Sequence, residues 1–247
     1  ELPVERPCEV LLIEDAGTAP VSPLGRRLRS LGFGTRQADD TEELTQLLDR
    51  SEPPFRAVLL STGLPSARLS AFLGLLRRPL AAGEMTGLAV GETPGPGVRQ
   101  QLREAGFALA LWRPFDERTL RFQVKRALLR TRTDGAARAE LRAPLPWRVT
   151  IRAGERRKEA RIYNLSQRGA FLETPRPSMV GAEIEVGFQL PGGPGSLSAS
   201  VLHTNVTGNL LRPHLPIGMG IRFRDPGPSI SDDLGRIVVQ RNRDLVV

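Results

Sequence analysis

Between residues 8 and 130, short strand-like runs alternate with stretches of helical character, and this alternation restricts the fold more than any other feature. The runs are 8–13 (CEVLLI), 35–38 (TRQA), 55–60 (FRAVLL), 86–90 (TGLAV) and 108–112 (ALALW). All but the second are apolar throughout or nearly so, as expected of strands buried on both faces. Helices are predicted over about 20–31, from Asp40 onward, near 69–77, over 97–105, and from Asp116 to about 130. Gly32 and Gly34 break the chain after the first, and Glu42 and Glu43 fall in the first turn of the second, where acidic groups favour the helix dipole. Asp116, after the break at Arg113, Pro114 and Phe115, is a natural cap for the last. Five strands alternating with five helices predict an α/β domain built on a doubly wound parallel sheet.

The second half reads differently. Runs at 147–152, 157–163, 170–173, 182–190, 196–204 and 217–223 carry strand patterning, with a hairpin turn at Gly154, Glu155 and Arg156. Six short strands suffice for a small closed all-β barrel. The PGGPG run at 191–195 is a turn rather than a phosphate loop, because no Lys-Ser/Thr follows and its prolines remove amide donors. Residues 206–216 form a polar, proline-containing connection, and 229–241 reads as a closing helix. Its stripe of Ile230, Leu234, Ile237 and Val238 is suited to packing on the barrel or a partner. The short TDGAA segment lacks apolar anchors, so the expected division is 1–132, a linker at 133–137, and 138–247.

At 247 residues the chain can bury two modest cores, and 40% hydrophobic with 25% charged residues is the composition of a soluble globular protein. No apolar run approaches a membrane span and no secretory signal pattern opens the sequence. The single cysteine, Cys8, cannot form an internal disulfide, and with His203 and His214 it makes no credible zinc set, which fits a reducing cytoplasm. Net charge is +8, and every basic residue except Lys125 and Lys158 is arginine. From residue 133 onward there are 16 basic and 11 acidic residues, so the excess is spread over both halves rather than gathered into a tail. Such a surface suits an anionic partner, although genomic bias toward arginine accounts for it equally well.

Two arginines, Arg138 and Arg142, stand four residues apart just before the first strand of the second half, and Asn164, Ser166 and Gly169 lie on a turn some twenty residues later. Guanidinium forks bind phosphate oxygens bidentately and stack on purine faces. Asn and Ser reach base edges or phosphates, and Gly admits close backbone approach. In this order, and followed by a barrel pattern, the two pieces resemble the signature of the PilZ domain, a bacterial receptor for cyclic di-GMP. Residues 169–172 (GAFL), 183–191 (EIEVGFQLP) and 217–223 (IGMGIRF) also resemble that family's strands, over roughly 136–245. The resemblance implies a C-terminal helix after the barrel. It also implies that Arg138 and Arg142 clamp phosphates and stack on guanine, that Asn164 and Ser166 hydrogen-bond the ligand, and that Gly169 permits the turn. Ala137 stands where some members carry a further Arg. His203 reads as a solvent-facing strand residue.

The first half resembles a response-regulator receiver domain, with Glu14 and Asp15 after the first strand, Leu64-Pro65 after the third and Arg113-Pro114 after the fifth. The residues on which receiver chemistry depends are replaced. Ser61 stands where receivers carry the phosphate-accepting Asp, Gly91 where they carry Thr or Ser, Arg113 where they carry Lys, and Ala110 where an aromatic is expected. Ser61 is not acidic and has no neighbouring histidine base, and two carboxylates without a third make a poor magnesium site. The expectation is a pseudo-receiver, closed to phosphorelay, whose outer helices serve a partner protein or self-association as a homo-dimer.

These readings lead to a non-enzymatic cyclic di-GMP effector with no cofactor, since no nucleophile–base pair, metal set or carboxylate dyad stands out. A protein-interaction scaffold with a vestigial nucleotide site is the alternative. A nucleic-acid regulator would show steep salt dependence, but no helix-turn-helix or aromatic-studded basic strand supports it.

Overall fold

The computed structural model describes residues 9–15, 22–49, 55–130, 140–190, 193–206 and 215–247. The expected linker, Cys8 and His214 lie outside them. The chain divides into two compact units, Glu1–Gly135 together with Asp244–Val247, and Ala136–Arg243.

In the first unit, β1 (Glu9–Ile13), β2 (Gly34–Gln37), β3 (Phe55–Ser61), β4 (Thr86–Gly91) and β5 (Phe107–Trp112) form a parallel sheet in the order β2-β1-β3-β4-β5. This is a doubly wound order whose switch point lies between β1 and β3. The strands are apolar throughout because both faces are covered. Leu11, Ile13, Val58, Leu60 and Ala89 join one core with Leu44, Leu47, Leu69, Phe72, Leu76 and Leu102. Those residues come from α2 (Thr41–Leu48), α3 (Ser66–Ala81) and α4 (Pro96–Glu104). Val10, Leu12, Leu59, Leu88 and Leu111 turn the other way, onto Leu28 of α1 (Pro23–Ser30) and Leu120, Val124 and Ala127 of α5 (Glu117–Arg130). Alternate residues of each strand thus feed opposite cores, and each fully buried leucine contributes about 1.5–3 kcal/mol.

Local signals set several helix starts. The Ser22 hydroxyl accepts from the Gly25 amide at 2.9 Å, the Asp40 carboxylate from Glu43 at 2.8 Å, and the Asp116 carboxylate from Thr119 at 2.8 Å. At α3 the sequence reading stops too early. The helix runs through Pro79 to Ala81, where Pro79 and Leu80 are both buried, and that packing outweighs the missing proline N–H.

In the second unit, β6 (Arg148–Ala153), β7 (Arg156–Ser166), β8 (Gly169–Glu173), β9 (Glu183–Leu190), β10 (Gly193–Asn205) and β11 (Gly218–Phe223) close into a six-stranded antiparallel barrel, ordered β10-β11-β8-β7-β6-β9. Val149, Ile151, Val186, Leu197, Val201, Met219 and Ile221 fill it. Not all of the expected 191–195 turn is turn. Gly193 pairs with Leu190 and Pro194 with Gln189, so residues 193–195 already belong to β10, and 191–192 lie outside the described residues. α6 (Gly227–Arg243) lays Leu234 and Val238 on the barrel core, with Ile230 and Ile237 beside them. His203 is half-buried rather than solvent-facing. Its ring packs 5.9 Å from that of Phe171 and over Gly220, whose absent side chain makes room for it.

The last four residues, which the sequence reading placed with the barrel, belong to the first unit. Leu245 and Val247 are buried there, Val246 forms an antiparallel bridge with Leu109 on β5, and the Ala110 amide donates to the Leu245 carbonyl at 3.1 Å. The short apolar end finds a sheet edge and an apolar core that periodicity alone cannot announce.

Candidate functional site

The β7–β8 hairpin turns through Gln167 and Arg168, with Ser166 and Gly169 as its closing pair. The Ser166 side chain is fully buried and its hydroxyl donates to the Gly169 carbonyl at 2.9 Å. Gly169 has no alternative at this position, because a Cβ there would lie 2.3 Å from the Ile221 carbonyl oxygen on β11. The Arg168 backbone extends the anchoring, its amide donating to the Glu140 carboxylate at 2.6 Å and its carbonyl accepting from Phe223 at 2.9 Å.

A register shift between Ile162 and Asn164 breaks the alternation of β7, and residues 162–166 are all buried. A buried Asn needs polar partners, since leaving one unpaired costs about 1–3 kcal/mol. Asn164 Oδ1 accepts from Arg142 Nη1 at 2.9 Å. The Arg142 side chain is half-buried, and its segment lies against β7 through two hydrogen bonds of 2.9 Å between Ala143 and Leu165, one in each direction. The Arg142 carbonyl in turn accepts from Asn242 Nδ2 on α6 at 3.0 Å. Arg142 is therefore held at both its backbone and its guanidinium.

Four of the five residues singled out on the ligand motif thus fall in one place, Arg142 on Asn164 and Ser166 on Gly169. Arg138 lies outside the described residues. Ser166 acts in this conformation as the brace of the hairpin. Asn242 escaped the sequence reading because its partner stands one hundred positions away. Its position in the last turn of α6, between the cations Arg241 and Arg243, carries no local signal.

At the carboxyl ends of the parallel strands the other candidate residues stand close together without forming a phosphate site. Burial raises the Glu14 carboxyl above its ordinary range, outweighing the Ser22 hydroxyl and the Arg113 charge, which lower it; Asp39 raises it further. Asp15 is exposed and pairs with Arg68 at 3.8 Å. Ser61 Oγ accepts from the Gly63 amide at 3.3 Å. Gly91 has φ +143°, and a Cβ there would come within 2.5 Å of Thr62 Oγ1. Thr62 donates its amide to Val90 at 2.9 Å and its hydroxyl to Glu92 at 3.0 Å. The space a Thr or Ser would need at position 91 is therefore filled by the neighbouring loop. Arg113 is exposed, its amide donating to the Gly91 carbonyl at 2.9 Å. Among the described residues no group of three His, Cys, Asp or Glu could hold a metal ion, and no helix is long and apolar enough to cross a membrane.

Residues 136–240 match the family model of the PilZ domain. Among solved structures, the chain is similar to the chemotaxis response regulator CheY4 of Vibrio cholerae, with 19% identity, a TM-score of 0.41, and coverage of 50% of this chain and all of that one. It is similar also to the PilZ domain with c-di-GMP of YcgR from Escherichia coli, at 19% identity and a TM-score of 0.35, covering 44% of this chain and 93% of that one. The Bacillus subtilis inhibitor of motility, MotI/DgrA, matches at 16% identity and a TM-score of 0.36, over 43% of this chain and 52% of that one. No curated protein matches the chain.

Proposed function

Because the chain carries a PilZ domain at residues 136–240, set after a receiver-like domain, we propose that it is a cyclic di-GMP effector. The nucleotide is bound by Arg138, Arg142, Asn164 and the Ser166–Gly169 hairpin. Binding changes the arrangement of the two domains and thereby the affinity for a partner protein that docks on the pseudo-receiver. The observation that carries this reading is the Arg142–Asn164 pair, a guanidinium fork oriented by a buried amide beside a glycine-closed hairpin. Arg142 grips a phosphate and stacks on a guanine, Asn164 aims its fork, and Ser166 and Gly169 keep the hairpin close to the ligand.

The receiver-like domain supplies interaction rather than chemistry. Its acceptor position is a serine, its carboxylates are two rather than three, and position 91 has no room for a side chain. Glu14, Asp15, Ser61, Gly91 and Arg113 are in this reading a solvated strand end and no longer a catalytic set.

Titration calorimetry with cyclic di-GMP tests the proposal. Saturable binding is expected, weakened roughly 10- to 150-fold in Arg142→Ala, the range for loss of a charge-assisted hydrogen bond. Binding untouched by that substitution would misplace the site. Absence of binding at high micromolar ligand would leave an interaction scaffold with a relic motif, to be recognised by a stable partner complex that forms without nucleotide.

A further inference from the structure

Helix α6 packs one face on the barrel and leaves the other open. Leu234, Val238 and Asn242 are buried, while Asp232, Arg236, Val239 and Arg243, on the opposite side, are exposed. Val239 keeps 46% of its surface exposed, an apolar residue set among charges. Arg236 is neutralised by Asp233, three residues back. Arg243 reaches only the neutral Gln240, at 3.3 Å, and neither it nor Asp232 has an ionic partner among the described residues. Eleven residues separate Asp232 from Arg243, about three helical turns, so the two charges stand on one line of the helix roughly 16 Å apart. Beside this face an open groove of about 840 Å³ runs between Gly235 and Gln167 of the β7–β8 hairpin. The Gln167 amide fixes its wall by donating to the Ser231 hydroxyl at 2.9 Å. A Cβ at Gly235 would meet nothing closer than the Gln167 side chain at 3.7 Å. Its own chain therefore does not require glycine there, although glycine weakens a helix relative to alanine.

We propose that the open face of α6 is a homodimer interface, covered by α6 of a second copy of this chain running antiparallel to it. The face is self-complementary. Two-fold symmetry makes each contact twice, residue i on j and j on i. In an antiparallel pair Asp232 comes opposite Arg243 of the partner subunit, and Arg243 opposite the partner's Asp232. The same register sets Val239 against Gly235 and Arg236 of the partner subunit, where the missing side chain of Gly235 lets the two helices approach closely. A parallel pair would instead set each of these charges on its own copy. One helix face lies at the low end of interface sizes, so the dimer is a reversible, micromolar one. This assigns self-association to the second unit, apart from the outer helices of the pseudo-receiver to which the sequence pointed. It does not depend on whether nucleotide binds.

Sedimentation equilibrium on the whole chain, without nucleotide, tests the interface. A monomer–dimer equilibrium is expected, with Kd on the order of 10–100 μM. Asp232→Arg and Arg243→Asp, each alone, set like charges opposite one another at two places. Each is expected to weaken the dimer roughly tenfold. Their combination restores opposite charges and is expected to return the affinity to within about threefold of the wild type. Val239→Lys, which faces the partner's Arg236, is expected to weaken the dimer roughly tenfold or more. All three positions are exposed, so the variants keep the fold, and circular dichroism verifies it. A chain that stays monomeric up to about 500 μM overturns the proposal. So does a dimer as tight in Val239→Lys as in the wild type, or a double reversal no tighter than the single ones.

Discussion

The strand ends of the parallel sheet and the hairpin of the barrel each gather polar side chains around a glycine, and the two glycines obstruct substitution in different ways. At Gly169 an added Cβ meets a backbone carbonyl of the neighbouring strand at 2.3 Å, and the obstacle cannot yield without breaking the barrel ladder. At Gly91 the obstacle at 2.5 Å is the hydroxyl end of the Thr62 side chain, which can rotate, although φ +143° strains any residue other than glycine. One glycine is required by the packing of the barrel, the other by its backbone conformation and the loop beside it.

Substitutions can break or sharpen that contrast. The largest effect is expected from Gly169→Ala, about 3 kcal/mol of lost barrel stability, because overpacking against backbone cannot be relieved by a rotamer change. Denaturant unfolding monitored in the barrel measures it, and a loss under 1 kcal/mol would show that the hairpin can shift away from β11. Gly91→Thr is expected to cost about 2 kcal/mol, mostly backbone strain. Combined with Ser61→Asp, it is expected to yield no acyl phosphate from a small phosphodonor and magnesium, since a side chain at position 91 meets the Thr62 hydroxyl within 2.5 Å. Hydroxylamine-labile phosphate incorporation would mean that two substitutions recover the receiver chemistry.

The smallest effect concerns Glu14. Its folded pKa is raised by burial, so the favourable contribution of the protonated group is fully present below the unfolded value and is lost as pH rises through the folded one. At neutral pH the ionised carboxylate is a burden. Glu14→Gln is expected to raise Tm by about 1–2 °C at pH 7 and to leave it unchanged near pH 4, where the native side chain is already neutral. An increase of equal size at both pH values would point to packing instead of charge.

The barrel motif shows how far local sequence carries a candidate site. Arg142, Asn164, Ser166 and Gly169 are legible because each residue type has a narrow chemical use and their order follows the strands. Their division of labour is not legible. Ser166 has a hydroxyl suited to a ligand, yet it is fully buried and donates to the Gly169 carbonyl. Asn164 is aimed at Arg142 because a register shift in β7 turns consecutive residues inward, and no periodicity predicts where a ladder will slip.

From sequence alone, the alternation of apolar runs, the helix starts at Asp40 and Asp116, and the strand patterning of the second half determined an α/β sheet followed by a six-stranded barrel. Such features are local: a strand buried on both faces, a carboxylate beside an open amide and a glycine in a tight hairpin each state their environment within a few residues. Tertiary structure decided where Asp244–Val247 go, why Gln123 is a buried amide, and what holds the carbonyl of Arg142. Those contacts join positions one hundred or more residues apart. Their energy comes from completing a sheet edge and satisfying buried amides, conditions that exist only once both partners have been folded into place.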